Sequence, residues 1–458
     1  MFKNIRERKL HLFIFTFLLG LFLGVHLSVK LSAQVPAYTY LDYFHQVYQL
    51  ISAEYVDEIA PKDVFYGAIS GMIKSLKDPF SRFLDEEAFS ELKEETTGKF
   101  VGVGVEITTR NGEIIVISPI DDTPAMRAGI KAGDIISKIN ETRIKDKSLS
   151  EIIKLIRGIP NTKVTLTIIR EGFEDPLTFE IERAPIRVET VSYDVIKEKG
   201  SEVGYIRVKV FSSDTTREIE KALADFNKRG VKRLVVDLRW NPGGLLDKAI
   251  TISELFLDKG KTIVSTRGRE GSGNEKSYKS QREPLYKGGV VLLVNKGSAS
   301  ASEILAAAIR DNSRGVLVGE KTFGKGSVQK FYNLNDNTGV SLTIAKYYTP
   351  SGISIHGKGI VPDTIVEAYD FPEAEKKTIN RILKDKLVES FIKNHGEYNE
   401  KTRKAFVAFL GEQGLGVSTV SANYLLKSEI FRYVKKPLYD LEFDTQLRKA
   451  LEIANAGK

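Results

Sequence analysis

Val290-Val291-Leu292-Leu293-Val294 runs without a polar residue into Asn295-Lys296-Gly297, then Ser298-Ala299-Ser300-Ala301-Ser302-Glu303-Ile304-Leu305. Five apolar residues in succession read as a strand buried on both faces. The glycine and small residues after it make a turn, and Ala301 to Arg310 carries helical spacing. The same alternation continues on either side. Tyr205 to Val208 reads as a strand, and Arg217 to Lys228 as a helix with Ile219, Leu223 and Phe226 inward, closed by Gly230. Leu234 to Leu238 is a second buried strand, interrupted only by Asp237, and Val316 to Val318 is a third. Strands and helices in turn predict an α/β core.

A serine at such a helix start faces unpaired amides and the positive end of the helix dipole, which favour an oxyanion. Read alone, however, Ser300 and Glu303 also fit a capping box, and that is the simpler reading of the segment. Two further stretches bear on it. Asp237-Leu238-Arg239-Trp240-Asn241-Pro242-Gly243-Gly244 puts two glycines after a strand, where backbone can approach closely. Gly319-Glu320-Lys321-Thr322-Phe323-Gly324-Lys325-Gly326-Ser327-Val328-Gln329 puts a lysine between glycines after another. A serine loses its proton only to a neighbouring base. A lysine takes that role only if burial disfavours its ammonium form, whose reference pKa is about 10.4.

Upstream, Phe100-Val101-Gly102-Val103-Gly104-Val105 is followed by Thr123-Pro124-Ala125-Met126-Arg127-Ala128-Gly129-Ile130, a capped short helix with proline in its first turn. Gly133-Asp134-Ile135-Ile136 turns into a strand, and Ser148 with Glu151 forms a capping box ahead of Leu149, Ile152, Ile153 and Ile156. This order, over residues 98–184, resembles a PDZ domain. Glu141 stands where many such domains have glycine after the asparagine, here Asn140. The resemblance implies β-augmentation by a peptide C-terminus, with the loop Gly102, Val103, Gly104 and Val105 receiving the carboxylate.

Taken together, the serine, glycine and lysine segments resemble the C-terminal processing, or tail-specific, serine protease family, over about residues 38–367. The fold implied is multidomain: a crotonase-like α/β protease core (185–367) with an inserted PDZ domain (98–184) and helical N-terminal (36–97) and C-terminal (368–458) regions. The resemblance makes Ser300 the nucleophile, Lys325 the general base and Gln329 the residue that orients the lysine, and it gives the oxyanion hole to the amides of Gly244 and Ala301. Ser298, Ser302, Lys296 and Lys321 compete in the same tracts; family spacing, not sequence physics, chooses among them. The expected activity is an extracytoplasmic serine endopeptidase that recognises protein substrates by exposed apolar C-termini. An adaptor or activator protein and self-association into a homo-oligomer are compatible with it. The alternative is a non-catalytic PDZ scaffold of the cell envelope.

Composition narrows the field further. The 458 residues include no cysteine, which removes disulfide frameworks, thiol nucleophiles and thiolate metal sites. Two of the five histidines, His11 and His26, lie in the leader, so neither a metal nor an organic cofactor is expected. A net charge of +8, from 68 basic and 60 acidic residues, is too small and dispersed to indicate nucleic acid and suits a membrane or envelope setting. Lys3, Arg6, Arg8 and Lys9 precede an apolar run from Leu12 to Val25 broken only by Thr16. This is a signal peptide or membrane anchor over residues 1–35, with a candidate cleavage site after Ala33, and either reading places the remainder in the periplasm or envelope. Gly319 to Lys325 matches the opening of a phosphate-binding loop, but Gly326 stands where Ser or Thr is needed and a strand follows instead of a helix. A Ser-His-Asp hydrolase would need His45, His356 or His395, and no Gly-x-Ser-x-Gly elbow surrounds any serine.

Overall fold

The computed structural model describes residues 37–457 apart from positions 111, 121, 146, 171, 172, 188, 199, 336, 433 and 435, so the leader lies outside the described residues. Among the described residues no helix is long and apolar enough to cross a membrane. The chain divides at residues 83 and 84 into two compact units. The first contains the helices Ala37–Glu54 and Pro61–Lys74, the latter with proline in its first turn. Their aromatic faces meet where Tyr48 and Phe65 place ring centroids 4.8 Å apart.

The second unit is built on a six-stranded sheet ordered Val191–Glu198, Ser201–Val208, Arg233–Asp237, Gly289–Val294, Val316–Gly319 and Thr364–Ile365. The first two form an antiparallel hairpin and every later pairing is parallel. Side chains alternate across the sheet, as the pleat requires. Leu234, Val236, Leu292 and Val294 pack with Phe226, Ile252, Ile304 and Leu305 from the helices Thr215–Arg229, Leu246–Ser253 and Ala301–Asp311. Val235, Val291, Leu293 and Val318 pack instead with Leu447, Ala450, Leu451 and Ala454 of the helix Thr445–Asn455. The core is therefore three-layered, and its second helical layer comes from the end of the chain.

The inserted PDZ domain carries a six-stranded antiparallel sheet in the order Val105–Arg110, Glu113–Pro119, Ile135–Ile139, Lys163–Ile169 and Leu177–Glu182, with the short strand Thr142–Arg143 paired to Ile135–Ile139. Helix Leu149–Ile156 starts at the Ser148–Glu151 capping box expected from the sequence. Lys99–Gly102 pairs antiparallel with Ala184–Arg187, which brings both ends of the insert together beside the core. Helix Glu86–Thr97, capped by Asp85, belongs to the second unit. A further sheet joins Thr262–Gly268, Lys276–Lys279, Ser327–Asn335 and Thr338–Tyr348. Before the last helix, the helices Lys376–Lys384, Leu387–Ile392, Glu400–Glu412 and Thr419–Ile430 close around Ile382, Phe406, Leu410 and Leu426.

Leu451 is fully buried between the terminal helix and the sheet. Leu451→Ala is expected to cost about 2–5 kcal/mol by transfer and cavity terms, read as a lower unfolding midpoint. An unchanged midpoint would mean that the helix does not cover the sheet.

Candidate active site

Because the central strands are parallel, their C-terminal ends lie on one side, where an open α/β sheet offers a crevice. The segments leaving Asp237, Val294 and Gly319 carry the glycine turn, the serine tract and the lysine loop. Ser300, Lys325, Gln329, Gly243 and Gly244 line one cleft of about 990 Å³, and Ala301, beside Ser300, opens the helix.

Ser300 has φ +54° and ψ −112°, a conformation that a non-glycine residue adopts at a cost of about 1–3 kcal/mol. Glu303 holds it there. Its carboxylate is fully buried, and Oε2 accepts both the Ser300 N–H (2.9 Å) and the Lys325 N–H (2.9 Å). Oε1 accepts the Thr322 hydroxyl (2.5 Å) and the Gly324 N–H (2.8 Å). Burial raises the Glu303 pKa, and these four donors partly offset it. The carboxylate half of the capping box anticipated from the sequence is present, and it reaches past the helix to the lysine loop, while the Glu303 N–H donates to the Ser300 carbonyl (2.9 Å).

The three serines differ in what their hydroxyls do. Ser298 Oγ donates to the Leu238 carbonyl (2.8 Å) and accepts the Asn295 N–H (3.0 Å). Ser302 Oγ donates to the Asn241 carbonyl (3.0 Å). Both are buried structural groups. The Ser300 hydroxyl donates to no group among the described residues, and Ser300 is the member of the tract that lines the cleft. Of the lysines, Lys325 is half-buried in the cleft, whereas Lys321 and Lys296 are exposed, the latter 5.9 Å from the Trp240 ring centre. Gln329 donates its amide nitrogen to the hydroxyls of Ser327 (2.9 Å) and Thr343 (3.1 Å), which fixes the direction of its carbonyl oxygen.

Asn241, fully buried, ties the glycine turn to the serine tract. Its side chain accepts the Gly243 N–H (2.9 Å) and donates to the Val208 carbonyl (2.8 Å), while its own carbonyl accepts the Ala299 N–H (3.0 Å). Gly243, at φ +105°, lies so close that a Cβ would fall 2.8 Å from the Ser300 Cβ and 2.9 Å from the Ala301 nitrogen. Among the described residues the N–H groups of Gly244 and Ala301 have no acceptor, which leaves two donors beside Ser300. Such a pair suits an oxygen that gains negative charge during reaction.

Several contributors were not recognised in the sequence. Asp237, which merely interrupted an apolar run there, is fully buried and bonded to Arg239, Arg207 and the Tyr205 hydroxyl. Burial alone would raise its pKa, but the two guanidinium groups and the hydroxyl outweigh burial and hold it low. Arg157, at the end of the PDZ helix, also lines the cleft; it pairs with Glu94 and lies over the Phe100 ring, 4.7 Å from its centre. Of the histidines, His356 is exposed on the segment behind Gly326, His395 stacks on Phe391 in the C-terminal helices, and His45 lies in the first unit. Among the described residues no cluster of acidic, histidine or cysteine side chains is placed to hold a metal ion.

In the PDZ domain, Val105–Arg110 is an edge strand of its sheet, with Leu149 and Ile153 half-buried on the helix while Ile152 and Ile156 fill the core. Val103 is buried in that core and its carbonyl accepts the Ala125 N–H (2.8 Å), so this loop offers a ligand backbone, not a valine side chain. Gly104, at φ +82°, has no room for a Cβ, which would lie 2.3 Å from the Thr123 Cβ.

Residues 202–366 match peptidase family S41, residues 115–170 match the PDZ domain, and residues 27–88 match the activating protease CtpB N-terminal domain. A carboxy-terminal-processing protease of Bartonella bacilliformis is 41% identical over 343 residues, 74% of this chain and 77% of that protein. A probable CtpA-like serine protease of Staphylococcus aureus is 38% identical over 372 residues, 81% of this chain and 72% of its own length. Among solved structures, a photosystem II D1 C-terminal processing protease is similar at 31% identity and a TM-score of 0.43, covering 71% of this chain and 86% of that one.

An amide cannot accept at both of its ends, so Glu303→Gln must turn an NH2 toward two N–H donors or toward Thr322 and Gly324. Glu303→Gln is expected to lower kcat by about 100-fold or more with native far-UV circular dichroism, because in either orientation an N–H of the loop carrying Lys325 loses its acceptor. Wild-type kcat in that variant would show that the shared carboxylate does not set the site.

Proposed function

The chain belongs to peptidase family S41, and on that premise we propose that it is an extracytoplasmic serine endopeptidase that cuts proteins docked by their C-termini. The observation that carries the catalytic reading is the Ser300 hydroxyl, which lines the same cleft as Lys325 while the neighbouring Ser298 and Ser302 hydroxyls donate to backbone carbonyls.

In this reading Ser300 Oγ attacks the scissile carbonyl carbon while the neutral amine of Lys325 takes its proton. The carbonyl oxygen becomes negative as the tetrahedral adduct forms, and the N–H groups of Gly244 and Ala301 bind it. The protonated lysine then gives its proton to the departing amine, leaving an acyl group on Ser300. Water attacks that ester with Lys325 again as base, which releases the acid and restores the hydroxyl. Gln329, fixed by Ser327 and Thr343, presents its carbonyl oxygen as the group that orients the lysine.

Substrate choice falls to the PDZ domain. A substrate tail adds to the edge strand Val105–Arg110, its carboxylate meets the backbone of Gly102 to Val105, and Leu149 and Ile153 flank the final side chain. Arg157 links this domain to the cleft, which supports docking that adjusts the site as well as tethering the substrate. The basic and apolar leader supports a location outside the cytoplasm. A scaffold that only binds tails would form complexes and release no fragments.

Mass spectrometry of a protein substrate with an apolar C-terminus separates the two. Fragments are expected from the wild type, none from Ser300→Ala or Lys325→Ala, and most of the wild-type yield from Ser298→Ala and Ser302→Ala. At subsaturating concentration, amidating the substrate C-terminus is expected to slow cleavage by about tenfold or more, since a carboxylate bound by amides is lost. Fragments from Ser300→Ala would remove the proposed nucleophile. Equal rates with free and amidated tails would remove the PDZ reading alone.

A further inference from the structure

Asp444 and Gln446 begin the terminal helix, beyond the segment 202–366 that matches the peptidase family. Between them they complete the bonding of Arg239, whose side chain is only 10% exposed. All five guanidinium hydrogens are used. Nε and Nη2 donate to the two Asp237 oxygens (3.0 and 2.7 Å), Nη2 and Nη1 to the two Asp444 oxygens (2.7 and 2.8 Å), and Nη1 to Gln446 Oε1 (3.0 Å). Arg239 stands two residues before Asn241, which ties the Gly243-Gly244 turn to the serine tract.

Gln446 reaches the other side as well. Its amide nitrogen, in a residue only 2% exposed, donates to the Val366 carbonyl (2.8 Å) and to the Glu320 carboxylate (3.3 Å). Glu320 is the first residue of the loop that leads to Lys325, and its N–H donates to the Val294 carbonyl at the root of the serine tract (3.0 Å). One helical turn thus grips the strand end that feeds the oxyanion donors and the strand end that feeds the base.

We propose that Asp444 and Gln446 are positioning residues for hydrolysis, holding Arg239 and Glu320 so that the glycine turn and the Lys325 loop keep their spacing around Ser300. This rests on the assignment of Ser300 and Lys325 as the reacting pair. Neither residue touches substrate; each acts through a neighbour. A bidentate carboxylate–guanidinium pair supplies direction as well as attraction, and a buried guanidinium that loses a partner must move or draw in water. The C-terminal helix is then part of the frame of the site, and a chain cut before Asp444 would be inactive even if the remaining domains fold.

The test uses full-length protein carrying Asp444→Asn, Asp444→Ala or Gln446→Ala. Asparagine preserves the helix cap, since its oxygen can still accept the Leu447 N–H now 2.9 Å from Asp444, but it removes the charge gripped by Arg239. Active sites are counted with a serine-directed phosphonate, and kcat is expressed per counted site. We expect kcat per site to fall about tenfold or more in Asp444→Asn and to the same degree in Asp444→Ala, with KM changed by no more than about twofold. A purely structural role would lower the unfolding temperature and the number of active sites while leaving kcat per site unchanged, and a capping role would let asparagine restore what alanine loses. Either result overturns the proposal. Should Asp444→Asn not fold, Gln446→Ala leaves the cap intact and is judged by the same kcat per site. Ser300→Ala run in parallel keeps the two claims apart: residual cleavage there removes the nucleophile assignment on which the clamp rests, whereas unchanged kcat per site in Asp444→Asn with an inactive Ser300→Ala removes the clamp alone.

Discussion

Glu303 is where the candidate site and the fold become one problem. A carboxylate with no exposure must find several donors or become neutral, and here four donors converge from two loops that lie about twenty residues apart in sequence. Oε2 alone receives the N–H groups of Ser300 and Lys325. Neither loop can shift without depriving a buried anion of a partner. The strained backbone of Ser300 persists because the rest of the structure over-determines it: Glu303 takes its N–H, Gly243 leaves no room beside it for even a Cβ, and the helix begins at the next residue.

Around that carboxylate the parallel sheet does the coarse placement and buried polar side chains do the fine placement. The strands deliver three segments to one crevice, but strand ends alone locate a loop only loosely. Asn241, Thr322 and Arg239 each cross-link neighbouring segments through fully or largely buried bonds. Thr322 illustrates the pattern, since its hydroxyl donates to Glu303 and accepts the Ile360 N–H (2.7 Å) behind the lysine loop. Through Arg157 the PDZ helix reaches the cleft itself, so the insert contributes to the wall of the site.

The strands and helices were readable where apolar runs and helical spacing were unbroken. Gly289–Val294 and Ala301–Asp311 lie within a residue of their expected limits, and the PDZ helix begins at its capping box. What could not be read was which of three adjacent serines differs from the others, because that depends on the carbonyls of Leu238 and Asn241, some sixty residues upstream. Asp237 was visible as an oddity in a buried strand but gave no sign of its partners, since Arg207 lies on the next strand and Tyr205 beside it. The terminal helix was the hardest to place. Its apolar face looks like that of any surface helix, and only the finished sheet shows that Val235, Val291 and Leu293 need a cover on that side.

The central claim, a serine nucleophile at Ser300 served by Lys325 within this carboxylate-tied frame, can be read directly from covalent labelling. The purified protein is treated with a fluorophosphonate across a range of pH, and the modified peptide is located by mass spectrometry. The account predicts an adduct on Ser300 alone, formed faster as pH rises because a lysine base acts only when neutral, unaffected by His356→Ala and lost in folded Lys325→Ala. An adduct on Ser298 or Ser302, or undiminished labelling of Ser300 in Lys325→Ala, would contradict it.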